Sequence, residues 1–354
     1  MNKSKIYPVI MALVASILFG ASAPITKILL GQIEPVALAA FLYLGSGIGL
    51  VVFQLVSLLI NRQGISEAPL KKKDLKWLLG AIIAGGVIAP IILLSSLKIT
   101  PASTASLLLN FESVATTIIA ILFFKESAGK QILSAVVLLT LASIILSWDF
   151  KNQWGVSIGS LGVVLACFCW GIDNNFTRNI SAKNPFTIVT MKGIVAGSFS
   201  LVLAKLLNNR IPEFRLVIIA MIIGFFCYGV SIVLFVFAMR HIGSTRTSAL
   251  FGTAPFIGSI LSFILLGDTP NIMFFIALPI MIIGTVFLLR EEHQHMHKHE
   301  AIEHEHRHNH NDEHHDHEHI DGSIISGNHS HLHSHELIEH IHSHSPDIHH
   351  RHVH

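Results

Sequence analysis

Long apolar runs dominate the chain, and they constrain its fold more than any other feature. Ten runs fall at 7–30, 35–60, 76–97, 101–124, 129–148, 157–179, 186–207, 215–239, 246–267 and 271–290. About 20 helical residues cross the roughly 30 Å hydrocarbon core of a bilayer. Lipid offers no hydrogen bonds, so a spanning segment must satisfy its own backbone, and a helix does this internally. The pattern therefore predicts an all-α membrane protein of about ten transmembrane helices, with the lipid bilayer as its first partner. Composition agrees: 13% of residues are charged, where a soluble domain carries about 25%. A formal net charge of +2 supplies no basic field, so no nucleic-acid partner is expected. Lys3 and Lys5 before an apolar run ending at Ala21-Ser22-Ala23 imitate a cleavable secretory signal. The run continues to Leu29 and Leu30, which makes it a first span instead. Cys167, Cys169 and Cys227 all lie in apolar segments and imply no disulfide framework.

The loops set orientation. Arg62, Lys71, Lys72, Lys73 and Lys76 form the strongest basic cluster, and it falls on the same side as Lys3 and Lys5. Lys125, Lys130, Arg178, Lys183, Arg240 and Arg246 fall on that side too. The opposite side carries mainly Lys98, Lys151, Arg210 and Arg215. By the positive-inside rule both termini are expected in the cytoplasm, with the protein in the inner (cytoplasmic) membrane.

An internal repeat runs through the spans. Phe19-Gly20 followed by Ile25-Thr26-Lys27 matches Trp170-Gly171 followed by Phe176-Thr177-Arg178, and residues 96–146 align without gaps on 238–288. In that alignment Ser106 and Leu108 meet Ser248 and Leu250, and Glu126 meets Asp268. Five helices per half is an odd number, so the halves enter the membrane in opposite senses, and such inverted repeats place a site near the midplane between them. The expected division is 1–148, 149–290 and a tail at 291–354.

Over residues 1–290 the chain resembles the drug/metabolite transporter superfamily, in its ten-helix branch with two EamA-type halves. The resemblance is carried by the paired five-helix halves, by Trp170-Gly171 opening the second half, and by Pro255 ahead of Leu266-Gly267-Asp268. Phe124-Lys125 replaces the usual Leu-Gly-like pair before Glu126 in the first half. The polar run Trp170-Gly171-Ile172-Asp173-Asn174-Asn175-Phe176-Thr177-Arg178 is similar to a sub-branch associated with nickel and cobalt resistance. The resemblance implies secondary transport, commonly export, of metabolites or toxic compounds.

Chemistry-bearing residues are few in the spans. No GxxxxGK[ST] phosphate loop, glycine-rich dinucleotide fingerprint or nucleophile triad occurs, so neither ATP-driven transport by this chain alone nor an enzyme is expected. Cys169, Asp173 and Thr177 are four residues apart and share a helix face. A carboxylate within a span costs about 2.5–3.5 kcal/mol on insertion scales and faces a cavity or a partner. Asp173 is thus a substrate or proton site, or else a structural ion pair with a neighbour such as Arg178. Glu112, flanked by Asn110 and Ser113, is a second candidate, as a proton carrier or as a neutral carboxyl tying helices together. Lys192 is either the counter-charge to one of these carboxylates or a side chain snorkelling to water. Trp170 and Asn174 complete the expected path. His241 at a helix end and the Cys167/Cys169 pair read as structural. Gly85-Gly86 with Pro90, and Gly45, Gly47 and Gly49, read as close packing or hinges.

The tail carries every histidine except His241. His293, His295, His297, His299, His304, His306, His308, His310, His314, His315, His317, His319, His329, His331, His333 and His335 stand among interleaved acids. Large apolar residues do not recur there at any structural period, so a disordered segment is expected. Imidazole suits nickel, cobalt and zinc, and flexible histidines make several weak, interchangeable sites. No cofactor is required for transport. Three readings follow: a gradient-driven exporter of divalent transition metal, an exporter of small organic metabolites or drugs with a metal-buffering tail, or a membrane-anchored metal store. The substrate is a small ion or a small molecule, and homo-oligomerisation is left open.

Overall fold

A computed structural model describes residues 3–60, 68–124, 129–148, 157–180, 183–289 and four tail stretches, 293–298, 303–308, 329–334 and 339–344. Up to residue 289 the described secondary structure is a succession of helices. Seven helical stretches are long and apolar enough to cross a membrane, and Ala254–Leu266 and Ile272–Phe287 are shorter apolar helices. Ile158–Arg178 is long enough to span, but its second half holds Asp173, Asn174, Asn175 and Arg178. Together these make the ten expected segments. Large apolar side chains such as Leu59, Phe123, Ile264 and Ile272 stand exposed on the outside of the bundle. Lipid tails accept such a surface, which water would penalise.

Several spans are broken rather than straight. The first divides into Lys3–Gly20 and Ser22–Leu29. Pro24 follows the break and lacks the N–H that would bond the Gly20 carbonyl. The fourth divides at Leu109-Asn110 into Ala102–Leu108 and Phe111–Phe124. The third and eighth each carry a seven-residue π-helical segment, Ile82–Ile88 and Gly224–Val230. Extended backwards, the alignment of 96–146 on 238–288 superposes these two π segments residue for residue. It also sets the Leu109-Asn110 turn against Phe251-Gly252, beside the turn at Gly252-Thr253. The repeat therefore extends to matching irregularities in the backbone.

One boundary differs from expectation. The eighth span's final helix runs continuously over Ser231–Phe251, so the loop expected at 240–245 is helical and the ninth span's helix starts at Ala254. No proline interrupts 240–251, and the single Gly243 weakens a helix without ending it; Gly252 follows, with Pro255 behind it.

The second span, Pro35–Ile60, packs along the seventh, Pro185–Leu206, and the fourth packs on the sixth. The fifth, Lys130–Ser147, lies against the tenth, Ile272–Leu289, so the halves interlock. At the end of the bundle opposite the N-terminus, Lys27 donates to the carbonyls of Leu97, Lys98 and Thr100. Beside it the Ser103 N–H donates to Asp268 Oδ2 at 2.9 Å. A second-half residue thereby pins the start of a first-half span.

In the tail, His293–Lys298 pairs antiparallel with Glu339–His344, and Glu303–His308 with His329–Ser334. A two-stranded ladder alone is marginal in water, in keeping with a segment that has no core. His299, His310, His314, His315, His317, His319 and His335 lie outside the described residues, as do Arg62, Lys125, Glu126 and Lys151.

Candidate functional site

The third span begins the site. In its π segment the Ala89 N–H bonds the Ala84 carbonyl, five residues back. The same pattern would give the Gly85 carbonyl the N–H of residue 90, but that residue is Pro90 and has none. The orphaned carbonyl takes two side-chain donors instead. Tyr43 Oη donates to it from the second span at 2.7 Å, and Trp170 Nε1 from the sixth at 3.1 Å. Gly85 is needed for a second reason: a Cβ there would lie 1.9 Å from Asp173 Oδ2. Glycine thus admits the Asp173 carboxylate against the irregular backbone of the third span.

Asp173 is buried, and both of its oxygens are engaged. The Thr177 hydroxyl donates to Oδ1 at 2.9 Å, one helical turn on. The Lys192 ammonium of the seventh span pairs with Oδ2. Side-chain exposure is 13% for Lys192 and 4% for Asp173, which rules out a solvent-screened surface pair. Of the two roles open to Lys192, the structure assigns counter-charge to Asp173. Its partner is not the Arg178 considered from sequence.

Glu112 stands on the first turn of Phe111–Phe124. Asn174 Nδ2 donates to Glu112 Oε1 at 2.8 Å and to Thr116 Oγ1 at 3.2 Å. Asn175 Nδ2 donates to the carbonyls of Thr116 and Gly171, at 3.0 and 2.8 Å. The polar run of the sixth span therefore faces two ways: Asp173 towards the third and seventh spans, Asn174 and Asn175 towards the fourth. Asn110 lies at the break just before Glu112, buried, with its amide nitrogen unpartnered among the described residues. Asp173, Asn174, Glu112, Lys192 and Trp170 are thus brought together, with Asn110 at the margin.

Tyr43 is the residue that sequence reasoning missed. It is one of three tyrosines, set in an otherwise apolar span. A buried phenol needs a hydrogen-bond partner, and that was the available signal. Its ring lies 5.7 Å from Tyr228 on the second π segment, and Phe19 stands 6.2 Å from Tyr228 and 6.5 Å from Trp170. The site is thus an ion pair, a second carboxylate and amide groups against an aromatic wall, with spans of both halves contributing. Among the described residues no group of three or more His, Cys, Asp and Glu side chains is placed to hold a metal ion.

Tyr43→Phe and Trp170→Phe each leave the Gly85 carbonyl one donor. Each is expected to cost about 1 kcal/mol. The double variant leaves the carbonyl unsatisfied and is expected to cost more than the two single losses combined, read as thermal midpoints of purified protein. Simple additivity would remove the shared carbonyl from the explanation.

Comparison with known proteins completes the picture. The model of the EamA-like transporter family matches residues 6–148 and again 157–290. A protein of Methanothermobacter thermautotrophicus described as an "Uncharacterized transporter" is 31% identical over 298 residues, covering 80% of this chain and 86% of the relative. The "Uncharacterized transporter YyaM" of Bacillus subtilis is 23% identical over 72% of this chain and 84% of its own length. A solved structure described only as "Crystal structure of protein" superposes with a TM-score of 0.57 at 15% identity, over 79% of this chain and 95% of that one. That last likeness speaks to the fold alone.

Proposed function

The chain belongs to the EamA-like transporter family, and from that premise we propose a gradient-driven exporter of small organic solutes that carry charged groups. It is a multi-pass membrane transporter, not an enzyme. The observation that carries the substrate class is the pairing of Lys192 with Asp173. A bare divalent cation approaching Asp173 meets an ammonium already in place. A solute bearing its own carboxylate or ammonium can exchange partners with this pair and lie along Tyr43, Trp170 and Phe19. We place both termini on the cytoplasmic side, and the solute enters from there.

A second reading keeps divalent nickel, cobalt or zinc as the cargo. The observation favouring it is the tail, whose histidines would raise metal concentration beside a cytoplasmic mouth. In the first reading the same tail buffers metal without feeding the path. A metal-storage role with an inert body fits poorly with membership of a transporter family.

The test compares cells producing the intact protein, protein truncated after Arg290 and Asp173→Asn. Solutes in the medium and cellular nickel, cobalt and zinc are measured by mass spectrometry. The intact and truncated proteins are expected to enrich the same organic solute in the medium, and Asp173→Asn to abolish the enrichment. Cellular nickel, cobalt or zinc that falls with the intact protein and recovers in Asp173→Asn would transfer the assignment to metal.

A further inference from the structure

Two carboxylates meet at this site, and their surroundings differ. Asp173 is buried, with one oxygen held by Thr177 and the other by the Lys192 ammonium. Its charge has a fixed counter-ion. Glu112 is partly exposed, and its partner is the uncharged amide of Asn174. No basic side chain pairs with it among the described residues. The ionisable groups around it are Tyr43 on the second span, Cys167 and Asp173 on the sixth and Lys192 on the seventh. Tyr43 donates to the Gly85 carbonyl, Cys167 is buried with its thiol turned to the Leu108 carbonyl, and Asp173 and Lys192 are spent on each other. Glu112 is therefore the one group of this cluster whose charge the protein leaves uncompensated by a basic partner.

An independent observation concerns the same span. Thr100 Oγ1, Ser106 Oγ and Asn110 Nδ2 are buried and unpartnered among the described residues. They lie at the outer end of the fourth span, on its first helix and at its break, in order towards Glu112. Thr100 Oγ1 lies against Gly159 of the sixth span and Ser106 Oγ against Gly258 of the ninth, while Asn110 stands in the turn after Leu108. Buried polar atoms left without protein partners are where water or solute is taken up. Together they put buried polar atoms along the fourth span between the membrane face opposite the N-terminus and Glu112.

We propose that Glu112 carries the coupling proton, while the Asp173–Lys192 pair handles the solute; this rests on the export reading above. Glu112 accepts a proton through Thr100, Ser106 and Asn110 from the outer side. It releases that proton to the cytoplasmic side, one proton moving inward for each solute moved outward. Asn174 links the two functions, because it is bonded to Glu112 and adjacent in sequence to Asp173.

Two measurements test this on the full-length chain. The first is the infrared difference spectrum of purified protein between acid and alkaline pH, for the wild type, Glu112→Gln, Glu112→Asp and Asp173→Asn. The protonated-carboxyl band of the wild type and Asp173→Asn is expected to contain a component that is displaced in Glu112→Asp and lost in Glu112→Gln. Identical spectra for the wild type and Glu112→Gln would overturn the proposal, and Glu112→Asp guards against a merely misfolded Gln variant. The second measurement is enrichment of the medium in the export experiment, with and without a protonophore. The wild type is expected to fall to the level of Glu112→Gln, which itself does not respond. Enrichment by Glu112→Gln that still collapses with the protonophore sinks the proposal and leaves export intact. Absence of enrichment in the wild type sinks the export reading, and the infrared comparison then decides the proton site by itself.

Discussion

Lys192→Met is expected to destabilise the protein by about 3–5 kcal/mol, the cost of leaving a buried charge without its partner. Asp173 cannot move to water: it is 4% exposed and pressed against Gly85. The two halves of the pair are unequal. Asp173→Asn leaves an ammonium on a four-carbon stem that can reach along its length for water, so its cost is expected to be smaller. Asp173→Asn combined with Lys192→Met removes both charges and should recover most of the loss, as uncharged replacements of buried pairs do. Denaturation of the four purified proteins closes the cycle. A Lys192→Met protein as stable as the wild type would mean that water already reaches Asp173.

The second large effect concerns the crossing of the second and seventh spans. A Cβ on Gly193 would lie 2.6 Å from the Gly47 nitrogen and 2.8 Å from the Tyr43 carbonyl oxygen. Both are backbone atoms, so no side-chain rotation relieves the clash, and the helices must part. In lipid, helices associate through close packing of small residues because apolar burial supplies no net drive there. Separating this pair also moves Tyr43 from the Gly85 carbonyl and Lys192 from Asp173. Gly193→Val is therefore expected to cost more than the roughly 1–3 kcal/mol of ordinary overpacking and to yield little monodisperse protein on size exclusion. Gly31→Ala is the control: its Cβ meets only the Ile28 carbonyl oxygen at 3.5 Å, and a change within about 0.5 kcal/mol is expected.

These two sites show what the sequence could reveal. Asp173, Glu112 and Lys192 were legible because a charged residue in an apolar run is costly and must have a reason. Which charge meets which was not legible. Helix periodicity orders residues within a span, whereas the Asp173–Lys192 pairing depends on how two spans are rotated against each other. Ten apolar segments were countable, yet the π segments and the Leu109-Asn110 break carry no strong composition signal. Pro90 marked one irregular place, but the carbonyl it orphans became meaningful only once Tyr43 and Trp170 were seen to reach it. The helix over Ser231–Phe251 shows the converse. Arg240 and His241 suggested a loop by polarity, while nothing in the backbone chemistry of 240–251 obliges a helix to stop.

The end of the bundle opposite the N-terminus bears on the transport cycle. Lys27 closes over three carbonyls, and Asp268 caps the start of the fourth span from the other half. Under the proposed export, alternating access rocks the halves against each other, and these contacts would belong to one state of that cycle. The ion pair at Asp173 touches the third span at its π segment, where the regular hydrogen-bond ladder is already interrupted. Solute exchange at Lys192 would thus act on a weak point of the helix rather than on a rigid rod.

Solute binding at the Asp173–Lys192 pair is measured as thermal stabilisation, since a ligand that binds only the folded state raises its midpoint. The wild type, Asp173→Asn and protein truncated after Arg290 are melted with the organic solute found enriched in the medium, and separately with nickel(II). The solute is expected to stabilise the wild type and the truncated protein alike and to have no effect on Asp173→Asn. Nickel(II) should not stabilise the truncated protein. Stabilisation of the truncated protein by nickel(II), lost on Asp173→Asn, would overturn the organic-solute reading and make the metal ion the cargo of this site.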